Sequence, residues 1–232
     1  LNLTTGTAEA LKTAFPDLWV EEAATPALMP ASPEDVMQIV LWCKTNGWRV
    51  LPAGSGHSYP KGFHVPSGVV TLLSLHRDGI SQPDPADLVV EAESGVAAKK
   101  VADVVAEAGF RLDEWPSEYE GTTGGLLCGK EGPGLRHLLL GVDVVDGRGR
   151  SLRFGGRVRK NVSGFDIAGF MLGSQGKTAW LDRVYLRLTP SGAPAISRTE
   201  HPVRTTPRSL SGLALRVSRA LDPDDVFLKS DA

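Results

Sequence analysis

The sequence predicts a mixed helix-and-strand protein built from two consecutive α/β stretches, and three observations carry this. Segments of helical periodicity alternate with short β-rich runs from residue 32 to residue 188. Glycine is abundant, 26 residues in all, and much of it is clustered next to those runs. The segment Gln82-Pro83-Asp84-Pro85 interrupts the alternation and marks a boundary. The organisation read from this is a first lobe over residues 1–83, a second over 84–190, and a linker with a short helix over 191–232.

The elements follow in order. Ser32-Pro33-Glu34-Asp35 supplies a hydroxyl cap, a proline at the first helical position and acids in the first turn. Val36, Ile39, Val40 and Cys43 then recur at helical spacing, and Asn46-Gly47 stops the helix. Trp48 to Leu51 reads as a strand that runs directly into Pro52-Ala53-Gly54-Ser55-Gly56-His57-Ser58-Tyr59, and Gly68 to Leu75 reads as another. The second stretch opens with a strand over Leu88 to Ala92. A helix follows from Val96 to Ala108, with Val101, Val104, Val105 and Ala108 as its apolar stripe and Gly109 as its stop. Gly121 to Gly134 reads as a glycine-rich loop. Leu138 to Val145 and Ser151 to Phe154 form a hairpin around Gly147-Arg148-Gly149. A short helix near Phe165 to Leu172 and a strand from Trp180 to Leu188 close the lobe. Residues 189–212 read as a linker, and Leu213 to Leu221 as an amphipathic helix.

Composition excludes several classes. Hydrophobic residues make up 41% and charged residues 22%, which is globular rather than disordered. A net charge of −2 gives no electrostatic footprint for nucleic acid. The two cysteines, Cys43 and Cys128, sit in unrelated contexts, so a disulfide is not expected and a reducing, cytoplasmic setting is. No apolar run reaches the roughly 18 residues of a transmembrane helix. His64, His76, His137 and His201 show no metal-ligand spacing.

The glycine loops carry the chemistry. Glycine lets a backbone approach a ligand closely and turn its N–H groups toward phosphate oxygens. Gly54-Ser55-Gly56 after a strand fits such a nest, and it also fits a tight surface turn. No third glycine opens a helix at the Rossmann offset. Gly124 to Lys130 matches most of a P-loop, yet Glu131 stands where that motif needs a hydroxyl for Mg²⁺, and a carboxylate there repels phosphate. Nucleotide hydrolysis is therefore not expected.

Taken together, three segments are more specific than either loop. Pro52 to Ser58 resembles the first pyrophosphate loop of the vanillyl-alcohol oxidase / p-cresol methylhydroxylase superfamily. Gly121-Thr122-Thr123-Gly124-Gly125 with Cys128-Gly129 resembles its second cofactor loop. The run from Leu152 to Asp166, with Lys160-Asn161-Val162-Ser163-Gly164-Phe165-Asp166 at its end, resembles the FAD-binding subunit of bacterial glycolate oxidase. The similarity covers residues 30 to 190. It implies a two-lobed α+β FAD-binding domain with the flavin between the lobes. It implies cofactor contacts from Pro52, Ala53, Gly54, Ser55, Gly56, His57, Ser58, Tyr59, Pro116, Gly121, Thr122, Thr123, Gly124, Gly125, Gly129, Lys160, Gly164 and Asp166, with backbone N–H groups of both loops facing phosphate.

Departures from the pattern bear on function. The family's Gly-Ser-x-Gly-x-Leu-Gly run is here Gly173-Ser174-Gln175-Gly176-Lys177-Thr178-Ala179, so its last glycine is lost. The stretch Lys130 to His137 is shorter than its counterpart. The family's large substrate-capping domain, inserted after the strand that ends near Leu188, has only residues 189–212 in its place. Ala220 to Phe227 resembles the family's C-terminal segment.

Several residues keep two readings. Asp166 fits a flavin-side loop or a helix N-terminus, and Lys160 and Arg136 fit charge neutralisation or a solvated surface. Cys128 fits redox chemistry or a buried filler. Tyr59, Trp115 and Tyr119 fit flavin packing or core. His57 resembles the histidine that bonds to the flavin 8α-methyl carbon in covalent members, and it also fits a loop hydrogen bond. The implied function is the FAD-binding subunit of a 2-hydroxyacid oxidoreductase that assembles with other subunits. The alternative is a non-catalytic FAD carrier that completes a partner's site, and a third reading is a structural paralogue without flavin.

Overall fold

The structure, a computed structural model, describes residues 5–57, 59, 63–157, 166–194 and 212–229. Ser58, Lys160, Gly164 and His201, named above, lie outside the described residues, as does most of the Lys160 to Asp166 signature.

The first lobe contains α1 (Thr5–Ala14), β1 (Ala27–Leu28), α2 (Pro33–Asn46), β2 (Arg49–Ala53) and β3 (Val69–Leu73). α2 forms for local reasons. Ser32 Oγ accepts the Asp35 N–H at 3.1 Å, Asp35 Oδ2 accepts the Ser32 N–H at 2.9 Å, and Gly47 ends the helix at φ +70°. Its buried face, Val36, Ile39, Val40 and Cys43, packs with Val50, Val70 and Leu72 of a parallel three-stranded sheet in the order β1-β3-β2. β2 points its C-terminal end directly at Gly54.

The second lobe contains β4 (Val89–Glu93), α3 (Ala98–Glu107), β5 (Phe110–Arg111), α4 (Thr123–Cys128), β6 (Leu139–Asp146), β7 (Ser151–Gly155), α5 (Ile167–Phe170), β8 (Ala179–Arg187) and β9 (Thr189–Pro190). Four strands form an antiparallel sheet in the order β4-β8-β6-β7. Val101 and Val105 of α3 and Leu126 and Leu127 of α4 share a core with Val90, Val144, Val184 and Leu186 of that sheet. Two expectations change here. Ala108 is exposed and Val104 only half-buried, so the α3 stripe runs through Ala98, Val101 and Val105 instead. The predicted loop from Gly121 to Gly134 contains α4, because tertiary hydrogen bonds override the low helix propensity of Gly124 and Gly125.

After residue 211 the chain forms α6 (Gly212–Leu221) and returns to the first lobe. The Val50 N–H donates to Val226 O at 2.7 Å and the Leu228 N–H to Val50 O at 2.8 Å, a parallel bridge beside β2. Val226 and Phe227 are buried in the first-lobe core. The buried Asp222 carboxylate accepts the N–H groups of Val226 and Phe227 at 2.8 and 3.2 Å, which fixes the turn that delivers them.

The lobes share a boundary built from both. Val145 and Trp180 of the antiparallel sheet belong to the first-lobe core. Arg77, buried between them, bonds Asp182 at 2.9 and 3.0 Å, Glu93 at 2.6 Å and the Ala31 carbonyl at 2.8 Å. One guanidinium thus ties the entry to α2 to the end of β4 and to β8. Among the described residues no helix is long and apolar enough to cross a membrane.

Candidate cofactor site

A cavity of about 510 Å³ opens where β2, β4 and α4 end or begin and β8 starts. That size lies within the roughly 300–1,000 Å³ typical of small-molecule sites. Its wall includes Pro52, Ala53, Gly54, Ser55, Gly56, His57 and Tyr59 from the first loop and Gly121, Thr122, Gly124, Gly125 and Gly129 from the second. The two loops approach so closely that a Cβ on Gly54 would lie 2.2 Å from Thr122 Oγ1. Only glycine allows this contact, and the contact joins the lobes at the cavity floor.

The loops present their backbones differently. Among the described residues the N–H groups of Ser55, Gly56 and His57 have no protein partner, and Gly56 adopts φ +79° with open space around it. In the second loop the Thr123 N–H donates to Val96 O at 2.7 Å and the Gly124 N–H to Ser94 O at 2.8 Å. Thr122 Oγ1 takes the Gly125 N–H at 3.1 Å. This corrects the expectation that Thr123, Gly124 and Gly125 offer N–H groups to phosphate, since each is already spent within the fold.

Side chains sort in the same way. Tyr59 and Tyr119 reach the wall. The Tyr59 hydroxyl donates to Pro52 O at 2.8 Å, and burial pushes its phenol up to about 12. The exposed His57 ring packs edge-on against Tyr119, centroids 5.2 Å apart. Trp115 is core, its Nε1 donating to the Ala98 carbonyl. Thr123 is fully buried, its hydroxyl also bonded to Val96 O, and does not line the cavity. Pro116 is not in the wall; its carbonyl takes the Tyr119 N–H and so shapes the turn that delivers that ring. Asp166 caps α5 through the Gly169 N–H at 2.9 Å, pairs with Arg136 at 2.5 Å and lies outside the wall, so its helix-terminal reading holds. Arg136 is held by Asp166 and the Leu139 carbonyl. Cys128 does line the wall, but burial pushes its thiol up to about 11, which keeps it protonated at neutral pH.

Motif reading missed other wall residues. Ala179, Trp180 and Leu181 arrive from β8, Ser94 from the end of β4, Gln175 and Gly176 from the turn before β8, and Leu228 from beyond α6. Ala179, standing where the family pattern has its last glycine, is buried and lines the cavity. Gly176, at φ +71° beside Pro52, lies with Gln175 and Ala179 in the run that the family pattern marks.

With this geometry in place, the comparisons with known proteins are decisive. Residues 25–155 match the sequence profile of a family described as FAD binding domain. This chain belongs to that family. Its cofactor is FAD, and the resemblance seen in the glycine loops holds. The FAD-binding domain is 35% identical over 140 residues to glycolate oxidase subunit GlcE of Escherichia coli (strain K12), covering 56% of this chain and 40% of that protein. It is 25% identical to glycolate oxidase subunit GlcD of Bacillus subtilis (strain 168), covering 70% of this chain and 36% of that one. It is also 25% identical to a D-lactate dehydrogenase of Archaeoglobus fulgidus, covering 69% and 38%. The chain thus spans less than half the length of these relatives. Among solved structures an alkyldihydroxyacetonephosphate synthase shares the fold, with a TM-score of 0.56, 17% identity, and coverage of 71% of this chain and 31% of that one.

The residues fit FAD. Glycines at 54, 121 and 124 hold the wall where any Cβ would strike Thr122, Tyr119 or Ser94. Three backbone N–H groups of one loop have no protein acceptor, and Ser94, a residue of the wall, carries a buried hydroxyl without a partner. Lys130 and Glu131 stand exposed at the rim, opposite in charge.

Proposed function

We propose that this FAD-binding domain is the flavin-carrying part of a 2-hydroxyacid oxidoreductase and works within a hetero-oligomeric complex. Support comes from the glycine cradle and from the likeness to glycolate oxidase subunits and D-lactate dehydrogenases. Bound FAD would accept hydride at N5 from the substrate carbon. The chain's own part is to bind and orient. Ser55, Gly56 and His57 would turn their N–H groups to the pyrophosphate. Gly54, Gly121, Thr122, Gly124, Gly125 and Gly129 would give close backbone approach, and Tyr59 and Tyr119 would flank the rings. Pro52 and Ala53 would border the same groove. Ser58, Lys160 and Gly164 remain part of this proposed set by resemblance alone.

Oxidation of a 2-hydroxyacid also needs a carboxylate clamp, a base near the flavin and exclusion of water. Residues 189–212 are too few and too polar to build that wall. We infer that a partner subunit supplies it, and that with both cysteines free the complex resides in the reducing cytoplasm. The same shortage favours a second reading, a non-catalytic FAD carrier that completes a partner's site. A dye-coupled assay separates them. The purified chain alone is expected to be yellow and to turn over glycolate or lactate poorly, with turnover appearing when partner subunits are added. Robust oxidation by the lone chain would overturn the partner requirement, and reduction of this chain's own FAD by substrate in the assembled complex, read as bleaching of its visible absorption, would favour catalysis over carriage.

A further inference from the structure

We propose that Ser94 is a cofactor-binding residue, its hydroxyl forming a hydrogen bond to a polar atom of FAD. The residue follows β4 and is only 2% exposed, yet its Oγ has no partner and the residue lines the cavity. A buried, unmet hydroxyl costs stability, so a bonding partner is to be sought in the cavity that the residue lines. Backbone looseness does not explain the missing partner. The Ser94 N–H donates to Asp182 O at 2.8 Å, its carbonyl takes the Gly124 N–H at 2.8 Å, and the next N–H, of Gly95, donates to Arg77 O at 2.8 Å. Gly95 itself is pinned, because a Cβ there would meet Ser74 O at 1.8 Å. Gly124 lies so near that a Cβ on it would stand 2.9 Å from Ser94 Cβ. Backbone bonds from β8, from α4 and from the Arg77 segment therefore fix this wall residue, and its unmet hydroxyl lies buried beside the cavity. No glycine motif reports this position, because the residue reaches the site from a strand end outside both loops.

The inference rests on FAD being the cofactor, and Ser94→Ala tests it without adding bulk. In the apoprotein the substitution removes an unmet polar group, so thermal unfolding should be unchanged or shifted upward. FAD affinity, measured by calorimetric titration of the same apoprotein, should fall about five- to tenfold. Parallel titration with ADP places the contact. An equal loss assigns it to the ADP half, and an unchanged ADP affinity assigns it to the flavin half. Unchanged FAD affinity in Ser94→Ala would overturn the proposal, and so would an affinity loss matched by apoprotein destabilisation, which would mark Ser94 as structural. Failure of the unsubstituted chain to bind FAD at all would overturn the cofactor reading and this inference with it.

Discussion

The two glycine-rich segments of this domain look alike in sequence and do opposite things with their backbones. The first, after β2, leaves the N–H groups of Ser55, Gly56 and His57 unbonded. The second folds into α4 and bonds its N–H groups to Val96, Ser94 and Thr122. Glycine serves the first as a source of conformational freedom, with Gly56 at φ +79°, and the second as absent volume, with neighbours where a Cβ would stand. A glycine cluster therefore does not by itself mark a phosphate nest. The difference lies in who receives the N–H groups.

Substitutions can break this contrast, and the largest effect belongs to the compact segment. A Cβ on Gly132, just past α4, would lie 1.7 Å from the Leu127 carbonyl oxygen, a backbone atom that cannot step aside. Gly132→Ala should destabilise the protein by about 3 kcal/mol in denaturant unfolding, and a loss near zero would refute the absent-volume account. Gly56→Val tests the open segment. It meets no neighbour but must hold a β-branched residue at positive φ, so about 1–2 kcal/mol of stability should go. FAD affinity should fall at least about tenfold, equivalent to one lost charge-assisted bond. Equal FAD binding by Gly56→Val would show that the open N–H groups are not the pyrophosphate site.

Smaller effects sharpen the comparison. Thr122→Ala removes the hydroxyl that caps α4 at the Gly125 N–H, and about 1 kcal/mol should be lost. Each segment also carries one nucleophile. Burial holds the Cys128 thiol near 11, so its alkylation should be slow at pH 8 and quicken as pH rises toward 11. A rate already at its plateau by pH 8 would contradict that. His57 is exposed beside Tyr119, and acid-denatured yellow protein should give the apoprotein mass, its FAD released intact. An added FAD mass that disappears in His57→Ala would instead assign a covalent histidyl bond.

How much of this was legible depended on how local its cause was. α2 could be read from Ser32, Pro33, Asp35 and Gly47 because its caps are made by neighbours in sequence. α4 could not, since its stabilising acceptors, Val96 O and Ser94 O, come from a different segment. The two-residue strands β1, β5 and β9 exist only as pairings and leave no periodicity to detect. At the site the first loop up to His57 lines the cavity as its motif suggests, while Thr123 and Asp166 lie outside the wall, because helix-cap and core roles use the same residue types as ligand contacts. Ser94, Trp180 and Leu228 were silent because their relevance comes from strand ends meeting in space.

The bridge between Phe227 and Val50, with the Leu228 N–H on the Val50 carbonyl, joins the last described residues to β2 of the first lobe. A ribosome that has made both glycine segments and β8 has still not made the residue that closes the cavity beside β2. A nascent chain halted before residue 222 would present the loops with that flank open and with Val226 and Phe227 missing from the first-lobe core. One late segment is thus shared by the first-lobe core and the cofactor wall, so a chain that lacks it lacks one flank of both.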